Sequence, residues 1–298
     1  MEPIRPSWSS WSFLLYAGGL TVLGAALGWL AYLSSRYGAA AYAGWALLVL
    51  VLLKVAALSL RRRHRIVAGV FAFSTVVVFG VFVAALWTWF GWLDVSRSSP
   101  FAGFHVGQLT LELLTLLAAL AALRSYRFPL LVLPAAFVGW LFVADLLSGG
   151  GDWSAVVTFL VGLVFMAFAV SVDGGRRRPY GFWLHVASGL AIGGSLIHFL
   201  GHGHVGWVLI AVGGALYTGL AESFGRSSWA VLGAAGILLA AAHFAISLSH
   251  VHVAILSASP GIHGRGWAAP LVFLVTGAVL CALGGGLARR AVAAGRLS

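Results

Sequence analysis

The chain has 298 residues, of which 61% are hydrophobic and only 8% charged. A soluble domain carries about 25% charged residues to keep its surface solvated, so a soluble enzyme, a disulfide-built secreted scaffold and a disordered regulator are all excluded. The 18 Lys and Arg against 7 Asp and Glu would point to nucleic acid in a soluble domain, but here they fall in short breaks between apolar runs, where they signal topology and no nucleic-acid partner.

A spanning helix needs about 20 mostly apolar residues. Reading from each polar break to the next predicts an all-α polytopic membrane protein, a single transmembrane bundle over 1–298, with ten spans. They run over 10–33, 39–60, 66–92, 104–123, 128–148, 154–172, 180–202, 204–223, 228–249 and 268–288. The first run is too long for a cleavable signal peptide and lacks a small-residue cleavage site. Lys54 sits near the end of the second span, close enough for its ammonium to reach the interface. In the fourth span His105, Gln108, Glu112 and Thr115 form a one-faced polar stripe, with Glu112 the deepest acid of the chain. Asp145 lies about one turn inside the end of the fifth span. Gly201-His202-Gly203-His204 separates the seventh from the eighth, a tight turn made possible by two glycines. Cys281, the one cysteine, falls in the last span as a packing residue.

Arginines set the orientation. With the N-terminus inside, the inner segments carry 14 of them, including the Arg61–Arg65 and Arg176–Arg178 runs. Arg36, Arg97 and Arg265 are the 3 outside. The positive-inside rule therefore places both termini in the cytoplasm and the bundle in the inner membrane. Trp87, Trp89, Trp92, Trp153, Trp207 and Trp267 then gather near the outer interface, where amphipathic rings belong.

Ten histidines are anomalous in so apolar a chain. His64 and His185 fall on the inner side. His105, His198, His202, His204, His243, His250, His252 and His263 all fall at or near the outer side. His198 and His202 are i, i+4 on one helical face, and His243, Ser247 and His250 form a stripe on the ninth span. Imidazole is the commonest transition-metal ligand at neutral pH, and carboxylates complete or orient such sets. The leading expectation is a site in the outer leaflet built from His198, His202 and His243, with His105, His250, Asp145 and Glu112 as further ligands or supporting partners. Zinc, copper or iron would suit it, as would haem b held axially by His198 and His243, with Gly193, Gly194, Gly201, Gly233 and Gly236 leaving room for the macrocycle. Such a protein would be an electron-transfer or metal-handling subunit, with other membrane subunits, quinone or a periplasmic redox carrier as partners.

Two other classes compete. Ten spans with both ends inside match the five-plus-five plan of inverted-repeat transporters, and length and topology are similar to the ten-helix drug/metabolite transporter class; Glu112 would then be the coupling carboxylate. The third class is a structural or assembly subunit with no cofactor. Nucleophilic catalysis has no motif to carry it: neither a Gly-x-Ser-x-Gly elbow nor a base for Cys281 is present.

Overall fold

A computed structural model describes residues 37–62, 65–93, 105–147, 149–173 and 178–249, with Val272, Val275, Thr276 and Val279 beyond them. Every regular element among these is helical. They are α1 (Tyr37–Leu60), α2 (Arg65–Trp89), α3 (Val106–Tyr126), α4 (Val132–Leu147), α5 (Gly151–Asp173), α6 (Arg178–Leu200), α7 (His204–Phe224) and α8 (Ser227–Ser249). A short 3-10 turn, Pro129–Leu131, leads into α4. All 8 helices, α4 counted with its turn, are long and apolar enough to cross a membrane. They coincide with the second to ninth expected spans. The first, and all but four positions of the tenth, lie outside the described residues, as do His64, His250, His252, His263, Trp267 and Cys281. The chain divides into two compact units, Met1–Ser188 and Gly189–Ser298, with the boundary inside α6.

In the first unit α2 is packed on two sides. Its Val78 meets Val49 and Leu53 of α1. Val70, Ala72 and Val76 pack with Ala119, Phe128 and Leu131 of the α3–α4 region. Proline dictates how α3 stops. Pro129 forces Phe128 into extended backbone (φ −96°, ψ 119°), and Arg127 closes the helix in the left-handed conformation, its N–H on Leu123 O. Phe128 is thereby turned onto Gly69, where a Cβ would collide with the ring.

The two ends of this unit differ in chemistry. At one, Arg61 Nη2 donates to Ser125 O (2.6 Å) with its guanidinium over the Tyr126 ring. Lys54 Nζ lies 5.9 Å from the same ring, and Tyr180 Oη donates to Arg127 O (2.9 Å). At the other end Trp87 packs edge-on against Trp92 and Trp153 Nε1 donates to Leu147 O (2.9 Å). Leu47, Leu52, Leu117, Phe137 and Phe168, among many large apolar side chains, are exposed along the helices, a pattern that suits a hydrocarbon surround.

In the second unit α7 and α8 cross backbone to backbone. Gly206, Ile210, Gly214 and Thr218 recur every four residues as the buried stripe of α7. A Cβ on Gly214 would strike Gly233 O of α8, and a Cβ on Gly233 would strike Gly214 O. Small residues allow this approach, which dispersion then stabilises in lipid. Gly225 ends α7 at φ 60°, a left-handed cap that glycine adopts without a Cβ penalty. Close by, Trp229 is fully buried with its ring edge-on to Tyr217.

Candidate functional site

Glu112 occupies the second turn of α3 and Asp145 the last turn of α4. The helices are antiparallel neighbours joined by a tight turn, so both acids fall at the tryptophan end of the first unit. Both are buried, at 5% and 2% exposure. Gln108, one turn before Glu112, bridges them: its Nε2 donates to Glu112 Oε1 (3.3 Å) and to Asp145 Oδ2. One amide nitrogen reaching both oxygens makes the two carboxyl groups close neighbours. Glu112 Oε2 is buried with no hydrogen-bond partner among the described residues. Thr115, next on the stripe, is buried against Gly80 of α2 and donates to Leu111 O (2.8 Å). Trp87 Nε1 donates to Thr110 Oγ1 (3.0 Å), tying α2 to α3 at this level. His105 stands just before α3, exposed and making no cap bond with its side chain.

A second ionisable pair, one member fully buried and the other half-buried, lies at the opposite end of the same unit. His185 of α6 is fully buried, with Nε2 2.8 Å from Asp173 Oδ2 at the end of α5. Between the two pairs, one face of α5 carries small and polar residues at helical spacing. Ser154 O accepts from Thr158 Oγ1 (2.8 Å), and Thr158 Oγ1 accepts from Trp140 Nε1 (3.0 Å). Gly162 O accepts from Ser188 Oγ (2.8 Å). Residues 154, 158, 162, 169 and 173 share this face.

The described histidines of the second unit form two ring clusters. His198 and His202, both exposed, have ring centroids 6.4 Å apart and nearly perpendicular planes, and His198 also packs edge-on against Phe199. His243 lies instead with Trp207, whose indole stacks on it at 4.6 Å and 11°, with His204 at 5.6 Å, and with Phe244. Ser247 Oγ donates to His243 O, and Trp207 Nε1 donates to Gly201 O (3.1 Å). Among the described residues no group of three or more His, Cys, Asp or Glu side chains is placed to hold one metal ion. Glu112, Asp145 and His105 belong to the first unit, and His198, His202 and His243 to the second. An apolar cleft of about 210 Å³ in the second unit is lined by Gly193, Gly194, Gly213, Gly236 and Tyr217, the last donating to Gly189 O (3.1 Å).

Three contributors escaped the sequence reading. His185 read only as an inner-side histidine and Asp173 carried no assigned role, although a histidine inside a span is costly enough to require a partner. His204 read as part of a turn, yet it opens α7 one turn before Trp207, on the side of His243. No family model, curated protein or solved structure matches the chain.

Proposed function

We propose that the chain is a secondary transporter in which Glu112 and Asp145 bind and release a proton, or a small cation in its place, as solute crosses. The observation that carries this is the burial of two carboxyl groups from different helices under one amide, Gln108. Two such groups in low dielectric repel strongly when both are ionised, so the pair is stable with one shared proton or one bound cation. Loss of that charge leaves repulsion between α3 and α4, and gain of it lets them close. Protonation is thereby linked to the helix packing that alternating access must change. Glu112 Oε2, buried with no hydrogen-bond partner among the described residues, is the oxygen that a bound proton or cation would satisfy once the side chain turns toward Asp145.

Ten spans with both termini cytoplasmic in an inner membrane complete this proposal. They are supported by the 14-to-3 division of arginines and by the collection of Arg61 and Arg127 contacts at one end of the first unit, with tryptophans at the other. The test is carbodiimide labelling of the purified protein, since dicyclohexylcarbodiimide attacks protonated carboxyls in apolar surroundings. Mass spectrometry should find the adduct on Glu112 or Asp145, declining as pH rises and lost from those sites in the E112Q/D145N double variant. Failure to label either residue at any pH from acid to alkaline would sink the proposal.

A metal- or haem-bearing subunit is the second reading, favoured by one observation: the buried, unpartnered Nε2 of His243 next to a second histidine. Haem b would need His198 as the other axial ligand. A cofactor-free assembly subunit has no observation of this kind in its favour.

A further inference from the structure

We propose that His204 and His243 form a two-coordinate site for a monovalent copper ion at the end of the α7–α8 pair, with the indole of Trp207 stacked on the His243 ring.

The two imidazoles come from different helices whose backbones are locked by the Gly214–Gly233 crossing, so their separation is set by a rigid frame. The ring centroids are 5.6 Å apart and tilted by 56°, close to the separation at which one ion bridges two imidazoles. With metal–nitrogen bonds of about 2 Å, a straight nitrogen–metal–nitrogen unit puts the ring centres a little over 6 Å apart, so the two rings reach it by parting about half an ångström or by bending the unit at the metal. His243 Nε2 is buried and makes no hydrogen bond among the described residues. Buried polar atoms are otherwise almost always satisfied, and a metal would satisfy this one. Two neutral imidazoles are a complete ligand set for a filled-shell monovalent ion, whereas zinc requires four ligands. The parallel indole fixes the ring: Trp207 lies over His243 at 4.6 Å and 11°, which sets the plane in which the His243 nitrogens can ligate. Binding involves no change of oxidation state, and each imidazole supplies only a lone pair. The site does not depend on the transport proposal, which concerns residues of the other unit.

The experiment uses the purified full-length chain in detergent, with copper supplied as its bicinchoninate complex under reducing conditions and silver(I) as an air-stable stand-in. Elemental analysis after desalting should find one tightly held equivalent. H243Q and H204Q should each lose it, while H198Q/H202Q retains it. Size-exclusion profiles confirm that each variant is folded, and glutamine in place of histidine keeps the polar volume of the site. Trp207 gives an independent readout: silver(I) should quench fluorescence in the parent chain and markedly less in W207F. No tight equivalent in the parent chain would overturn the site. So would full binding by H243Q, loss confined to H198Q/H202Q, or selective retention of zinc over copper.

Discussion

At the scale of single residues, the decisive feature is that ionisable groups inside the bundle are not solitary. Gln108 is neutral, yet it holds two acids, and Gln108→Leu leaves both buried carboxyls short of a donor. An unsatisfied buried group costs about 1–3 kcal/mol, so this variant should melt several degrees lower in detergent, read by differential scanning fluorimetry. Glu112→Gln should be milder, because an amide can still bond Gln108 and Asp145 without adding charge, while carbodiimide labelling at position 112 disappears. The opposite pair gives a comparable test. Asp173→Asn retains an acceptor for His185 Nε2 and should stay close to the parent in stability. Asp173→Leu removes this acceptor from a fully buried imidazole and should cost about 1–3 kcal/mol. Equal stability of the two variants would show that the His185 contact contributes nothing.

At the scale of elements, glycine position decides which helices touch. Gly214 and Gly233 face each other's carbonyls, whereas nothing lies within 4 Å of a Cβ placed on Gly219. Gly214→Leu must therefore drive α7 from α8, at a cost of at least about 1–3 kcal/mol for overpacking. Gly219→Ala, in open space, should be neutral or stabilising by up to about 1 kcal/mol through helix propensity. Thermal melts of the two variants in parallel check this. If Gly214→Leu proves as stable as the parent, the backbone-to-backbone crossing is wrong, and with it the frame that sets the His204–His243 separation. In the first unit the corresponding device is Gly69 under Phe128, which pins the α3–α4 turn and so the register that sets Glu112 against Asp145.

At the scale of the molecule, the unequal ends of the first unit yield a topology experiment. In a Cys281→Ser background, Ser125→Cys marks the arginine end and Gly149→Cys the tryptophan end. Both positions are exposed, and Gly149 has nothing within 4 Å of an added Cβ. A membrane-impermeant maleimide applied to intact cells should label position 149 and spare 125 until the cells are opened. The reverse pattern would invert the bundle and place Glu112 and Asp145 on the cytoplasmic side, where they would load their proton from within.

Helix number and position over 37–249 were legible from the sequence because a bilayer imposes one dominant constraint: about 20 apolar residues per span, punctuated by arginine, glycine and proline. The expected break at Gly201–Gly203 falls between α6 and α7, and those at Arg61–Arg65 and Arg124–Arg127 lie within three residues of the observed helix ends at Leu60, Arg65 and Tyr126. The stripe His105, Gln108, Glu112, Thr115 was legible too, since helical phase is a local property. Its partners were not. Asp145 pairs with Glu112 because Pro129 and Phe128 fold α4 back beside α3, and His243 stacks on Trp207 because two glycines let α7 and α8 close. In a chain where nearly every face is apolar, periodicity cannot distinguish the lipid-facing side from the packed one. Partner choice was therefore left to steric fit between small residues, which only the tertiary structure decides.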